Sequence, residues 1–275
     1  MDIANYFEQI PQMPALMARD VLDQKSVGAY NLVDVRQPAE YEKGHLPGAR
    51  LIPLAELASR LGEIDPRRPT IVYCRSGNRS RSAVGILLDA GFKDVFSMGG
   101  GISAWNGLMA GGPPDAGMAY FSSNEKTDTL IALAWALEEG SRRFYAGLAG
   151  SMLDVEGRAL FSELTSAEER HKASLLALYH GSGGSGTIEP LFPGGAAGDV
   201  MEGGIRVSEA LGWTAGRDAA DILDLSIALE SNAYDLYIKM ERTVKDDHSK
   251  RVFSVLAEEE KRHLDRMTSL IEKKA

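Results

Sequence analysis

The spacing of apolar and polar positions changes partway along this chain. Up to about residue 112 the apolar residues come in short runs. Tyr30 to Val35, Arg50 to Pro53, Pro69 to Tyr73 and Asp94 to Met98 are rich in β-branched or aromatic residues and read as strands. A shorter extended piece is expected near Pro11–Ala15. Between these runs the spacing turns helical. It predicts a helix from Arg19 to Lys25, a turn of helix from Pro38 to Lys43, an amphipathic helix from Leu54 to Leu61, a helix from Ser80 to Ala90 and a last one from Ile102 to Leu108. Strands alternating with helices imply an α/β domain with a mainly parallel sheet covered on both faces, and a ligand site at the carboxyl ends of its strands. The segment Ala110-Gly111-Gly112-Pro113-Pro114-Asp115-Ala116-Gly117 breaks any regular element.

Beyond that break the strand signals vanish. Four long helical patterns follow, over Asn124–Leu148, Val155–Tyr179, Arg217–Val244 and Ser249–Lys273. Short loops near Gly150–Asp154 and Lys245–His248 make antiparallel pairs. A Gly- and Pro-rich crossover, 180–216, joins one pair to the next. That is an all-α four-helix bundle with one long crossover, the ferritin-like form. The expected organisation is therefore an α/β domain over 1–112, a linker over 113–119 and a bundle over 120–275.

The two helix pairs repeat each other without a gap. At an offset of 92 residues, Ala136-Leu137-Glu138 meets Ala228-Leu229-Glu230, Tyr145 meets Tyr237, Phe161 meets Phe253, Glu168 meets Glu260 and His171 meets His263. Glu168-x-x-His171 and Glu260-x-x-His263 each put a carboxylate and an imidazole one helical turn apart on one face. Glu138 and Glu230 add a carboxylate from each remaining helix. Four Glu and two His facing one axis form the ligand set of di-iron and di-manganese bundles. Four carboxylates inside an apolar bundle would otherwise repel and be desolvated, and two divalent cations remove that cost. Carboxylate and imidazole without thiolate favour iron or manganese, with zinc able to occupy the same set. Glu139, Glu169, Glu258 and Glu259 are expected on exposed faces. Tyr145 and Tyr237, two turns beyond Glu138 and Glu230, are either partners of the opposing carboxylates or core aromatics.

The single cysteine lies in Tyr73-Cys74-Arg75-Ser76-Gly77-Asn78-Arg79-Ser80, where a strand ends and a helix opens, with Ser76, Asn78 and Ser80 available as caps. Such a turn points backbone N–H groups inward, and Arg75, Arg79 and Arg81 add charge. Both lower a thiol pKa. Asp34 and Arg36, at the end of another strand, are either a structural ion pair or part of the same edge. The loop resembles the active-site loop of the rhodanese (sulfurtransferase) family. Leu32-Val33-Asp34-Val35-Arg36 with Glu40-Tyr41 and Gly44-His45-Leu46-Pro47-Gly48-Ala49 resembles that family's opening signature, and Gly99-Gly100-Gly101-Ile102-Ser103-Ala104-Trp105 its closing one. The resemblance covers roughly residues 10–112. It implies a rhodanese-like fold in which Cys74 takes sulfane sulfur from a donor such as thiosulfate, holds it as a persulfide and passes it to a thiol or cyanide. Arg75, Ser76, Gly77, Asn78 and Arg79 would bind that persulfide through their backbone N–H groups, with Arg75 and Arg79 helping to hold an anionic donor. Phosphatases and arsenate reductases of related fold place five residues between cysteine and arginine. The four between Cys74 and Arg79 imply a smaller cradle.

The second half resembles the rubrerythrin branch of the ferritin-like superfamily over roughly residues 120–273. That implies two iron ions, held by Glu138, Glu168, His171, Glu230, Glu260 and His263, that reduce peroxide or oxygen. Many rubrerythrins have a further Glu where this chain has Ala233. One cysteine excludes a four-cysteine iron site within these 275 residues, so the resemblance implies an external electron donor. A different reading of the same residues is a sulfur carrier or sensor whose bundle is a metal-storage or dimerisation module. Composition narrows the rest. The net charge of −9 falls wholly after residue 112, because residues 1–112 balance twelve acidic against twelve basic side chains. An acidic second half argues against a nucleic-acid partner and suits cations. No apolar run is long enough to span a bilayer, and Met1 to Glu8 has neither a basic segment nor an apolar core. A cytoplasmic protein is expected, with a reactive thiol in a reducing compartment and, by analogy with such bundles, a homodimer.

Overall fold

A computed structural model describes residues 10–24, 29–113, 127–152, 154–181, 183–188, 199–201 and 204–274. The expectations placed on Met1 to Glu8, on linker residues 114–119 and on Asn124 to Lys126 lie outside these residues. The chain forms two compact units, Met1–Pro114 and Asp115–Ala275.

In the first unit, β1 (Gln12–Pro14), β2 (Asn31–Asp34), β3 (Arg50–Leu51), β4 (Thr70–Tyr73) and β5 (Val95–Gly99) form one sheet in the order β1-β5-β4-β2-β3. Every pairing is parallel. The helices are α1 (Ala15–Gln24), α2 (Pro38–Glu42) and α3 (Asn78–Asp89). Strand alternation sorts the core into two layers. Leu32, Ile71 and Tyr73 point to one face with Ala18 and Leu22 of α1 and Tyr41 of α2. Val33, Val72 and Cys74 point to the other, with Ala83, Val84 and Leu87 of α3. β4 is central, so Cys74 leaves the sheet between β5 and β2.

Two expected helices are not α-helical. Leu54–Leu61 is a run of turns with 3-10 pieces at Leu57–Ser59 and Leu61–Glu63. Its backbone bonds reach three residues back, as in Arg60 N–H to Leu57 O at 3.1 Å and Ile64 N–H to Leu61 O at 3.1 Å. Leu57 and Ile64 are the buried side chains of this stretch. The helix expected over Ile102–Leu108 is a 3-10 turn, Gly101–Ala104, after which Trp105 is extended. The Trp105 indole turns back to donate to Leu108 O at 3.0 Å.

In the second unit, α4 (Thr127–Ser151) packs along α5 (Val155–Gly181), α7 (Ala219–Thr243) packs along α8 (Asp247–Lys274), and α5 meets α8. The repeat extends to the caps. Asp154 Oδ1 accepts from Glu156 and Gly157 N–H, both at 3.1 Å, and Asp246, 92 residues on, accepts from Ser249 N–H at 2.8 Å. The crossover contains a short helix, α6 (Val207–Thr214), that the Gly and Pro content concealed. It docks on α4, where a Cβ on Gly147 would stand 2.8 Å from the Leu211 side chain and one on Gly140 would stand 2.3 Å from Val200 O. Among the described residues no helix is long and apolar enough to cross a membrane.

Candidate active-site loop and metal centre

β4 delivers Cys74 to the carboxyl edge of the sheet, and the chain then turns tightly into α3. The residue before the helix is Gly77, with φ +98°, rather than one of the Ser or Asn candidates. That left-handed turn aims the Gly77 N–H at Cys74 Sγ, 3.2 Å away. Cys74 is buried. Burial pushes its thiol up, but the backbone N–H and hydroxyl of Ser80 and the N–H groups of Ser76 and Gly77 outweigh this and hold it below the ordinary thiol range. Ser80 enters the sequence reading only as a cap. In the fold its hydroxyl is buried beside Ser97 Oγ at 2.8 Å and belongs to the thiol's surroundings.

The Gly99-Gly100-Gly101 segment closes over this loop. Ile102 N–H donates to Cys74 O at 2.8 Å and Ser103 N–H to Arg75 O at 3.0 Å. Gly101 has φ +57°, and a Cβ there would stand 2.4 Å from Cys74 O and 2.6 Å from Arg75 O. Of the two arginines expected to meet an anionic donor, Arg75 is exposed. Arg79 makes a two-pronged ion pair with Glu40, both N···O distances being 2.7 Å. Asn78 is exposed, with its Oδ1 accepting from Arg81 at 3.0 Å. Asp34 and Arg36 form a buried ion pair. The Arg36 guanidinium donates to Asp34 at 2.7–3.0 Å and to Gly44 O at 2.7 Å, fixing β2 to the signature loop.

The bundle brings the six repeated residues together. Glu138, Glu168, His171, Glu230, Glu260 and His263 are all at most 4% exposed. They form two overlapping clusters, Glu138 with Glu168, His171 and Glu260, and Glu168 with Glu230, Glu260 and His263. Within each, one ligating atom per residue lies within 4.8 Å of the others. His171 Nδ1 is 3.1 Å from Glu138, 3.0 Å from Glu168 and 3.2 Å from Glu260. His263 Nδ1 is 3.2 Å from Glu230 and 3.1 Å from Glu260. Tyr145 donates to Glu230 and Tyr237 to Glu138, so each tyrosine clamps the carboxylate of the opposite pair. Glu139 is buried rather than exposed, because Arg142, Arg143 and Lys172 converge on it at 2.6–2.8 Å. Glu169 and Glu258 are exposed, and Glu259 is partly so.

Left to themselves the six groups must share protons. Burial, reinforced by the charge of Glu138, pushes Glu168 well above the usual carboxylate range, and burial with the charge of Glu260 pushes Glu230 up to about 8. Glu260 stays well below that range: burial opposes its charge, but a hydrogen bond from Glu230 and the charges of His171 and His263 prevail. Burial works against charged imidazoles as well, yet Glu138 and Glu260 raise His171, and Glu230 and Glu260 raise His263 to about 10. One Nδ1 facing three carboxylates can bond only one of them, and His171 Nε2 is buried without a hydrogen-bond partner. The set is better matched to cations than to protons: two divalent ions would neutralise four carboxylates and use both imidazole lone pairs.

The first unit is thus a parallel α/β sheet with a cysteine loop at its carboxyl edge, and the second a helical bundle with a carboxylate–imidazole core. The model of the rhodanese-like domain matches residues 17–108, and that of rubrerythrin matches residues 221–275. The thiosulfate sulfurtransferase GlpE of Pseudomonas putida is 38% identical over 99 residues, which are 36% of this chain and 84% of that protein. GlpE of Pseudoalteromonas translucida is 36% identical over 86 residues, 31% of this chain and 79% of that protein. The HTH-type transcriptional regulator Rv0324 of Mycobacterium tuberculosis is 40% identical over 105 residues, and the match spans 38% of this chain but only 45% of that protein. Among solved structures, the rhodanese-like domain of Anabaena sp. Alr3790 is similar at 30% identity, covering 37% of this chain and 79% of that one with a TM-score of 0.34. The chain belongs to the rhodanese family through its first unit, and residues 221–275 of its second match rubrerythrin.

Proposed function

We propose that the first unit is a sulfurtransferase that carries sulfane sulfur on Cys74. The observation behind this reading is the cradle itself: one buried sulfur ringed by the N–H groups of Ser76, Gly77 and Ser80, with its pKa lowered. The thiolate attacks the outer sulfur of a donor such as thiosulfate. A Cys74 S–S bond forms, the donor's S–SO₃ bond breaks, and sulfite leaves with the electron pair. The persulfide anion then rests among the same N–H groups until a thiol or cyanide takes the terminal sulfur and Cys74 keeps the electron pair. Cys74→Ser, whose hydroxyl cannot hold sulfane sulfur, should abolish thiosulfate:cyanide sulfur transfer. Turnover of that variant at the parent rate would refute the persulfide reading.

The second unit is proposed to hold two iron ions through Glu138, Glu168, His171, Glu230, Glu260 and His263, with manganese or zinc as competitors for the set. Iron there would supply redox chemistry toward peroxide or oxygen with an external electron donor. The chain's part is to hold the site dry, to place one imidazole on each side and to fix Glu138 and Glu230 by the hydroxyls of Tyr237 and Tyr145. Replacing Glu168 and Glu260 together by Ala should lose both metals, read by elemental analysis, while Cys74 chemistry persists. Unchanged metal content in that variant would refute the ligand assignment.

A further inference from the structure

The sulfur cradle carries a negative charge that its own reaction does not require. Glu40, on α2, grips Arg79 with both carboxylate oxygens, Oε2 to Nη1 and Oε1 to Nη2, each at 2.7 Å. The two side chains are about a third exposed, 33% for Glu40 and 32% for Arg79, so the pair is open to solvent, with Arg79 on the helix that follows the Cys74 loop. Arg79 lies five residues after Cys74 at the start of α3, and its positive charge favours the Cys74 thiolate. The hydrogen bonds from Arg79 hold the Glu40 carboxyl down to about 2, so it is ionised at any working pH. Both outer nitrogens of Arg79 thus face a carboxylate rather than a donor, and the pair contributes no net positive charge at the entrance.

We propose that Glu40 is a specificity-determining residue of this site, selecting sulfur donors with a single negative charge, such as a persulfide R–S–S⁻, over the thiosulfate dianion. The inference rests on the sulfurtransferase reading above. Both donors give balanced steps. With R–S–S⁻, the Cys74 thiolate attacks the terminal sulfur, the new S–S bond forms, the old one breaks and R–S⁻ departs with the pair, two negative charges before and after. With thiosulfate, sulfite departs and three negative charges stand on each side. The third is the charge that Glu40 opposes at the entrance. Electrostatic work scales with the product of charges. A fixed carboxylate therefore disfavours a dianion by the square of the factor it imposes on a monoanion.

The test uses the full chain and its only cysteine. Glu40→Gln keeps one oxygen, enough for Arg79 Nη1 and for the Gln37 N–H that Oε2 now accepts from at 3.2 Å, and removes the charge together with the second Arg79 bond. Alkylation of Cys74 is followed by mass spectrometry with iodoacetamide, which is neutral, and iodoacetate, a monoanion. The iodoacetate-to-iodoacetamide rate ratio should rise about threefold in Glu40→Gln, at a magnitude expected for one partly solvated charge. By the square rule kcat/KM for thiosulfate should then rise about tenfold, and that for the persulfide of a small neutral thiol about threefold. Glu40→Asp keeps the charge and should keep the parent ratios, which separates charge from misfolding. Unchanged ratios in Glu40→Gln, with sulfur transfer intact, would overturn the role of Glu40 and leave the sulfurtransferase reading standing. A raised alkylation ratio with no sulfur transfer by either protein would overturn the sulfurtransferase reading and the donor assignment with it.

Discussion

Gly101→Ala is the substitution whose cost the fold states most directly. Gly101 has φ +57°, a conformation that costs an L-residue about 1–2 kcal/mol. Its new Cβ would stand 2.4 Å from Cys74 O and 2.6 Å from the carbonyl carbon and oxygen of Arg75. These are backbone atoms and cannot swing aside. They are also held, because Cys74 O accepts from Ile102 N–H at 2.8 Å and Arg75 O from Ser103 N–H at 3.0 Å. Relieving the clash means separating the two loops and losing one or both bonds, at about 1 kcal/mol each. The sum is about 2–4 kcal/mol, borne by the first unit alone. For a unit of this size that lowers its melting temperature by roughly 10–20 °C. Scanning calorimetry of the full chain should show the transition of the first unit falling while that of the second stays in place. Cys74 would move with the loop, and a displacement near 1 Å costs about 10²-fold in rate. Parent-like melting and parent-like sulfur transfer in Gly101→Ala would refute the close-approach argument.

Two further outcomes follow. Loading the metal-free chain with a divalent cation at pH 7 should release protons, because Glu230 is pushed up to about 8 and His263 to about 10, and both must deprotonate to ligate. Affinity should therefore rise with pH up to about 10. Calorimetric titration in two buffers of different ionisation enthalpy reads the proton count, and a count of zero would contradict the shared-proton arrangement. The chain is expected to pair, so light scattering at micromolar concentration should give twice 29.7 kDa, and the monomer mass would refute pairing.

Much of the site was legible because it depends on short-range rules. A strand ending in a cysteine, a Gly turn and a helix start are neighbours in sequence, so the turn that carries Cys74 could be drawn without a fold, whereas the part of Ser80 beside the sulfur could not. The six bundle residues were legible for another reason. An offset of 92 forces equivalent positions onto equivalent faces, and Glu-x-x-His spacing selects one face of a helix. Even the tyrosine clamps obey that symmetry, although only the fold chose carboxylate partners over plain core packing.

Contacts across long sequence separations decided the rest. Glu40 and Arg79 are 39 residues apart, and nothing in either neighbourhood states that α2 would carry one onto the other. Glu139 reads as a surface charge until Lys172, from the facing helix, bonds it at 2.6 Å and closes over it. Leu54–Leu61 has helical spacing, but the fold uses short 3-10 turns there, with Leu57 and Ile64 buried. Gly101 looks like one of three turn glycines, and only the approach of the Cys74 carbonyl shows why no side chain fits there. Local spacing and an exact repeat already named the residues that the fold brings together around Cys74 and in the bundle core. The tertiary structure decided which charges neutralise one another, because that depends on distances between elements that periodicity does not encode.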